Sequence, residues 1–213
     1  MNRAVREFVE IAQRTMQLQD PILEFGSFLV PEQTELANLR PIFPGKTFVG
    51  TDMRHGKGVD VLVNLHQAGI KSGSIGTVLC LETLEHVEYP HSALREIHRV
   101  LKNDGIVLIA SPMKFPIHNY PNDYWRFTPS AFESLLKPFA GSWTGSLGEA
   151  HFPDTVLGMG FKARPPQLTM FEKEFAALKA RLDKPYDSAL RAILPPIVAH
   201  YLWRIRKRFR GES

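Results

Sequence analysis

The first half of the chain alternates between two hydrophobic textures. Val5, Phe8, Val9 and Ala12 recur at helical spacing, which predicts an amphipathic helix over residues 3–17, ended by Asp20-Pro21. Beyond it the apolar residues gather in short, nearly unbroken runs. Residues 22–25 lead into a turn at Gly26-Ser27, 47–51 stop at Asp52, 59–63 at Asn64, 77–81 at Glu82, and 105–110 form a fifth run. Such runs are expected of parallel strands buried on both faces. A helix that opens at Pro90, carries Leu94, Ile97 and Leu101 as its stripe and ends at Asn103-Asp104-Gly105 separates the fourth run from the fifth. The gap between the second and third is too short for a crossover helix and predicts a loop. Alternation of this kind predicts an open α/β sheet.

After residue 110 the pattern changes. Residues 111–129 are rich in Pro, Tyr and Asn, as in an ordered functional loop. Helical spacing returns over 130–136 and over 171–182, where Phe171, Phe175, Leu178 and Leu182 share a face. Pro185 and Pro195-Pro196 divide the C-terminal stretch into short helical pieces.

Composition narrows the picture. The chain has 213 residues and a formal net charge of +4, with 44% hydrophobic and 23% charged residues, as in a globular protein rather than a disordered one. The charge is localised. Arg204, Arg206, Lys207, Arg208 and Arg210 against Glu212 account for all of it, so residues 1–203 are neutral and nucleic acid is not an expected partner. One cysteine, Cys80, excludes an internal disulfide and a Cys-based zinc cluster. No secretory leader pattern opens the chain and no run reaches the ~20 apolar residues of a membrane span, so the expected location is cytoplasmic.

Ligands of open parallel sheets bind beyond the carboxyl ends of the strands. That rule gathers Glu24, Gly26, Asp52, Asn64, Cys80, Glu82 and Ser111 along one rim. A carboxylate ending the second strand can accept both hydrogen bonds of a ribose diol. The first loop, Glu24-Phe25-Gly26-Ser27-Phe28-Leu29, has one glycine where a dinucleotide cradle has three, and no phosphate-binding G-x-x-x-x-G-K loop occurs. An adenosine-bearing ligand without phosphates fits better.

The order Ile22-Leu23-Glu24-Phe25-Gly26-Ser27, Val49-Gly50-Thr51-Asp52, then Thr77 through Leu81-Glu82-Thr83-Leu84-Glu85-His86-Val87 resembles the class I S-adenosylmethionine-dependent methyltransferases. Arg95-Glu96-Ile97-His98-Arg99-Val100-Leu101 and the strand to Ser111-Pro112 are similar to their fifth-strand segment, and the UbiE-like, or methyltransferase-domain 11, type is the nearest subgroup. The resemblance spans roughly residues 20–165. It implies a Rossmann-like, doubly wound, mostly parallel sheet with an N-terminal helix, a methyltransferase domain over 1–165 and a helical C-terminal extension over 166–213. It further implies S-adenosylmethionine as cofactor. Glu24 and Gly26 would form the methionine-side loop, Asp52 the ribose acid, Met53 a neighbour of the adenine, Asn64 and Leu65 its edge, and Cys80 and Leu81 the surroundings of the sulfonium. Ser27-Phe28-Leu29 stands where the family usually carries further glycines. That departure motivates the alternative of a weakly active or inactive methyltransferase-fold protein serving as a binding partner or scaffold.

The segment from His118 to Pro129 resembles the P-x-D-Y-W-R-F-T-P stretch of some of these enzymes and follows the fifth strand, where a methyl acceptor would sit. Methyl transfer needs a base only if the acceptor must lose a proton, and histidine suits neutral pH. The catalytic candidates are therefore His118 first and His86 second, with Asp123 and Tyr124. The alternative for Asp123 is pairing with Arg126. Glu82, Glu85 and His86 would share a face on a helix, and the E-x-x-E-H spacing looks like the metal-binding segment of small-RNA 2′-O-methyltransferases; the same stretch is widespread in metal-free relatives, and no metal is assigned. The expected acceptor is a small or lipid-linked molecule. Residues 189–210 read either as a terminal helix with a solvated basic end or as a peripheral membrane contact.

Overall fold

The computed structural model describes residues 1–31, 34–118 and 121–182, and these contain one seven-stranded sheet. The strands are β1 (Ile22–Phe25), β2 (Phe48–Asp52), β3 (Val61–Leu62), β4 (Ile75–Leu81), β5 (Leu101–Pro112), β6 (Gly141–Glu149) and β7 (Phe152–Phe161), in the order β3-β2-β1-β4-β5-β7-β6. Neighbours from β3 to β5 run parallel; β7 is antiparallel to both β5 and β6. The strand order reverses between β1 and β4, which opens the crevice where ligands of such sheets lie. The open α/β sheet expected from the apolar runs is observed, and it is doubly wound and mostly parallel, as the resemblance implies.

Alternation of side chains along buried strands supplies two cores. Leu23, Phe25, Val78, Cys80, Val107 and Ile109 face one layer, where helix α3 (Pro90–Val100) contributes Leu94 and Ile97 and helix α4 (Pro129–Leu136) contributes Phe132. Ile22, Leu79, Leu81, Leu108 and Ala110 face the other, covered by α1 (Arg3–Met16) and α5 (Thr169–Leu182). The short helix between β1 and β2, α2 (Thr34–Ala37), buries no side chain. Helix α1 starts where Asn2 accepts the Val5 amide at 3.0 Å, and α4 where Thr128 accepts that of Ala131 at 3.2 Å; each cap satisfies a donor the helix itself cannot. Phe8, Trp143, Phe171 and Phe175 stack between α1, α5 and β6, so residues 169–182 close this second core.

Four boundaries differ from the pattern. Leu101, the expected last stripe residue of the helix before the fifth run, pairs with Ile75 as the first residue of β5. The register then shifts, Thr77 meeting Ile106, so Asn103-Asp104 loop out of the pairing instead of ending a helix. The third run shrinks to Val61–Leu62, both exposed at the sheet edge. The β6–β7 hairpin lies where no strand was expected. Residues 189–210 lie outside the described residues, and no helix among those described is long and apolar enough to cross a membrane.

Candidate functional site

At the crevice, β1 ends in a turn that only glycine accommodates well. Gly26 has φ +79°, and a Cβ there would stand 2.1 Å from Thr83 Oγ1. Thr83 cannot step aside cheaply, because that hydroxyl bonds the carbonyls of Phe25 at 3.1 Å and Leu81 at 2.9 Å. The ends of β1 and β4 are thereby drawn together, with backbone exposed toward the crevice between them.

Glu24 is 6% exposed, and no hydrogen bond among the described residues reaches its carboxylate. Burial pushes its carboxyl up to about 8, against relief from Arg40 and the amino terminus. It therefore stays neutral in the fold through pH 7 but ionises in the unfolded chain above its ordinary value of 4.5. Its contribution to stability is complete below that value and is lost as pH rises toward about 8. Glu24→Gln should flatten this dependence: thermal melts at pH 5 and 8 should differ less for the variant than for the parent chain, by on the order of 2–4 kcal/mol of stability. Parallel pH profiles would contradict the assignment.

Asp52 ends β2, 8% exposed, and its carboxylate has a fixed set of donors. Arg54 binds Oδ1 through its backbone N–H at 2.9 Å and Nε at 3.0 Å, and Oδ2 through Nη2 at 3.3 Å; the Phe28 amide approaches Oδ2 at 3.4 Å. The Arg54 guanidinium also lies 4.4 Å over the Phe28 ring. Asp52 thus has an arginine two residues on as its ion-pair partner. Neither Arg54 nor the Phe28 amide stood out from the sequence, although an acid with an arginine at i+2 is a visible cue.

Among the other expected cofactor contacts, Met53 is 64% exposed, Asn64 is exposed and Leu65 is buried. The Asn64 side chain accepts the His66 amide at 3.0 Å and so shapes the loop after β3. Cys80 and Leu81 point to opposite cores, and burial pushes the Cys80 thiol well above its usual range. Cys80 therefore keeps an un-ionised side chain in the core.

The segment after β5 folds back over the end of β4. Backbone amides of Tyr124 and Trp125 donate to the Glu85 carbonyl at 2.8 and 3.2 Å, and the Trp125 indole donates to the Val87 carbonyl at 2.9 Å. Arg126 clamps the fold from the other side. Its guanidinium bonds both Asp123 oxygens, at 2.5 and 2.7 Å, and the carbonyls of Phe115 and Pro116. Arg126 holds the Asp123 carboxyl far below the usual range, with the His118 amide adding to the effect. Asp123 is therefore ionised and paired with Arg126, the alternative weighed for it from the sequence. It is an orienting group, its Oδ2 lying 3.0 Å from His118 Nδ1.

Three expected residues meet here. The His86 and His118 rings are 4.8 Å apart between centroids, and Glu85 Oε1 lies 3.8 Å from His86 Nε2. Burial, aided by His118 and Arg54, lowers the His86 pKa; the same desolvation pushes Glu85 up to about 8. Tyr124 is exposed, its hydroxyl accepting from the Asn122 amide at 2.9 Å. Glu82 does not join the group. It sits at φ +48° before a 3-10 turn, Leu84–His86, and binds Met1 and Asn2, so no helix aligns it with Glu85.

Comparison with known proteins bears on the fold. Residues 44–109 match the family described as a methyltransferase domain, a span covering β2 through most of β5. No curated protein sequence matches the chain. A methyltransferase from Archaeoglobus fulgidus described as SAM-dependent is similar in structure, with a TM-score of 0.55 at 14% identity over 74% of this chain and 94% of that one. So is a Burkholderia thailandensis 1,6-didemethyltoxoflavin-N1-methyltransferase solved with 1,6-didemethyltoxoflavin and S-adenosylhomocysteine, with a TM-score of 0.56 at 15% identity over 76% and 79%. Such identities carry the fold. The methyltransferase-domain family thus matches the central strands, and the sheet is shared with these methyltransferase structures.

Proposed function

We propose that the chain binds S-adenosylmethionine across the ends of β1, β2 and β4 and transfers its methyl group to a small or lipid-linked acceptor. The observation that carries this reading is the buried Asp52 carboxylate ending β2 beside the Gly26 turn. A ribose diol would displace the Arg54 guanidinium from Asp52, and the backbone amides of Arg54 and Phe28 would remain to hold the carboxylate in place. Glu24, buried and without a hydrogen-bonded partner among the described residues, is suited to the ammonium of the cofactor's methionine portion. When bound, the cofactor supplies an activated methyl group, so the protein's work is alignment of the acceptor and exclusion of water.

The loop over β4 would provide the acceptor side. Phe115, Ile117, Tyr124 and Trp125 are all exposed there and suit an acceptor with an apolar portion. Because Asp123 and the Pro116 carbonyl both face His118 Nδ1, that nitrogen carries the ring proton and Nε2 carries the lone pair. The neutral charge balance of residues 1–203 also disfavours a nucleic acid acceptor.

Arg126→Ala should release the loop without touching the cofactor crevice. We expect methyl transfer to fall at least tenfold while S-adenosylmethionine affinity stays within about twofold. The assay is incubation with S-adenosylmethionine and aqueous or lipid extracts, read by mass gain of one methylene and by S-adenosylhomocysteine release. Equal loss of cofactor binding would contradict the division of labour, and no methylated product from any extract would favour the scaffold reading.

A further inference from the structure

Glu85, His86 and His118 each offer a ligand atom, and the three atoms lie within 4.8 Å of one another. We propose that they form a binding site for one borderline divalent cation such as Zn2+, at the acceptor side of the crevice. Clustering alone would not carry this; the surroundings of each group do.

Glu85 is 1% exposed, and its two oxygens are treated differently. Oε2 accepts from Ser111 Oγ at 3.1 Å, whereas Oε1 is buried without any hydrogen bond among the described residues. It lies on the side of His86, 3.8 Å from Nε2. A buried carboxylate oxygen left in this way calls for a cation or a donor. The Ser111 bond ties Oε2, and the Tyr124 and Trp125 amides hold the Glu85 backbone carbonyl, so the residue is anchored at both ends.

The two imidazoles are oriented as ligands would be. His86 Nδ1 donates to the Asn122 carbonyl at 2.6 Å, which places that ring's lone pair on Nε2. His118 Nδ1 faces Asp123 Oδ2 at 3.0 Å and the Pro116 carbonyl at 3.3 Å, which does the same for the second ring. A carbonyl behind one histidine and a carboxylate behind the other are the outer partners that fix tautomer and raise basicity in metal sites. Arg126 bonds both Asp123 oxygens, so that outer partner is itself held.

Two imidazoles and one carboxylate suit zinc and its neighbours rather than magnesium or calcium, which prefer oxygen throughout. A cation at ~2.1 Å from each ligand needs ligand separations of about 3.4 Å, so the group must contract modestly from the present spacing. Three protein ligands leave a coordination position for an acceptor oxygen or nitrogen. The site is independent of cofactor binding and can be tested without it.

The test is calorimetric titration of the chelator-treated full chain with Zn2+ alone, alongside Co2+ titration followed by visible absorption. We expect one tight equivalent, visible bands of a Co2+ site with nitrogen ligands, and affinity reduced at least tenfold in His118→Ala and in Glu85→Gln. Asp123→Asn should weaken binding by about 10–100-fold while leaving the stoichiometry at one. His118 is half-exposed, so its replacement should not prevent folding, and far-UV circular dichroism checks each variant. Absence of a tight equivalent, or zinc binding unchanged in His118→Ala and Glu85→Gln, would overturn the proposal.

Discussion

Asp52→Ala should weaken S-adenosylmethionine binding by about 100-fold, and Arg54→Ala should leave it unchanged or tighten it severalfold. The two residues form one ion pair, so the contrast separates two meanings of that pair. If Asp52 only anchored Arg54, removing either partner would have similar effects. If Asp52 is the ribose acid, its loss removes two charge-assisted hydrogen bonds, each worth about 1.5–3 kcal/mol, less the part recovered from freeing Arg54. A net loss of about 2.7 kcal/mol is the expected factor of about 100. Removing the Arg54 side chain instead clears the guanidinium donors from Oδ1 and Oδ2 and leaves the backbone N–H of residue 54 and the Phe28 amide in place. Calorimetry of both variants with S-adenosylmethionine decides it; equal losses would rule out the ribose role.

Gly26→Ala should strongly destabilise the crevice. Two costs combine there. A non-glycine residue at φ +79° is strained by about 1 kcal/mol, and the new Cβ would overlap Thr83 Oγ1 at 2.1 Å, an overpacking cost of about 1–3 kcal/mol. The sum of about 2–4 kcal/mol corresponds to a fall in melting temperature of about 5–15 °C for a chain of this size. Thr83 is fixed by the Phe25 and Leu81 carbonyls, so rotation offers little relief. Adding Thr83→Ala should recover the steric part but not the backbone part, giving a double variant of intermediate stability. A neutral Gly26→Ala would mean that the β1 turn is not held against β4. The same position governs function, since a displaced β1 end would also move Glu24.

The two predictions fall on the part of the molecule that was most legible. Four of the seven strands, β1, β2, β4 and β5, announce themselves because parallel strands buried inside a sheet must be apolar along their length, and Asp52 interrupts such a run at its end. The β6–β7 hairpin is hidden by its own chemistry. Gly141, Gly145, Gly148, Gly158 and Gly160 break the hydrophobic runs, yet at Gly158 and Gly160 a Cβ would press on Ile109, Leu136 and Phe139. Small residues there let α4 lie close to the sheet, a tertiary requirement that no local pattern expresses. Leu101 has a similar ambiguity: it fits the stripe of α3 by spacing but pairs with Ile75 across the sheet.

The site divides along the same line. Residues at strand ends, Glu24, Gly26 and Asp52, can be placed from topology alone. Arg54, Thr83, Ser111 and Arg126 act through contacts set by turns and by the fold-back of the loop after β5. Spacing at i, i+3 and i+4 groups Glu82 with Glu85 and His86 only if the segment is a helix, and the turn at Glu82 removes that premise. His118 reaches Glu85 and His86 from 32 residues downstream of His86 because Tyr124 and Trp125 dock on the Glu85 carbonyl. The acid–histidine cluster is thus a product of the loop's hydrogen bonds rather than of sequence periodicity.

Titration of the chain with S-adenosylmethionine tests the central claim most directly. The account predicts one binding event per chain, competed by S-adenosylhomocysteine and lost in Asp52→Ala, with proton release on binding below about pH 8 as Glu24 ionises against the cofactor ammonium. A well-folded chain that takes up neither compound would contradict it.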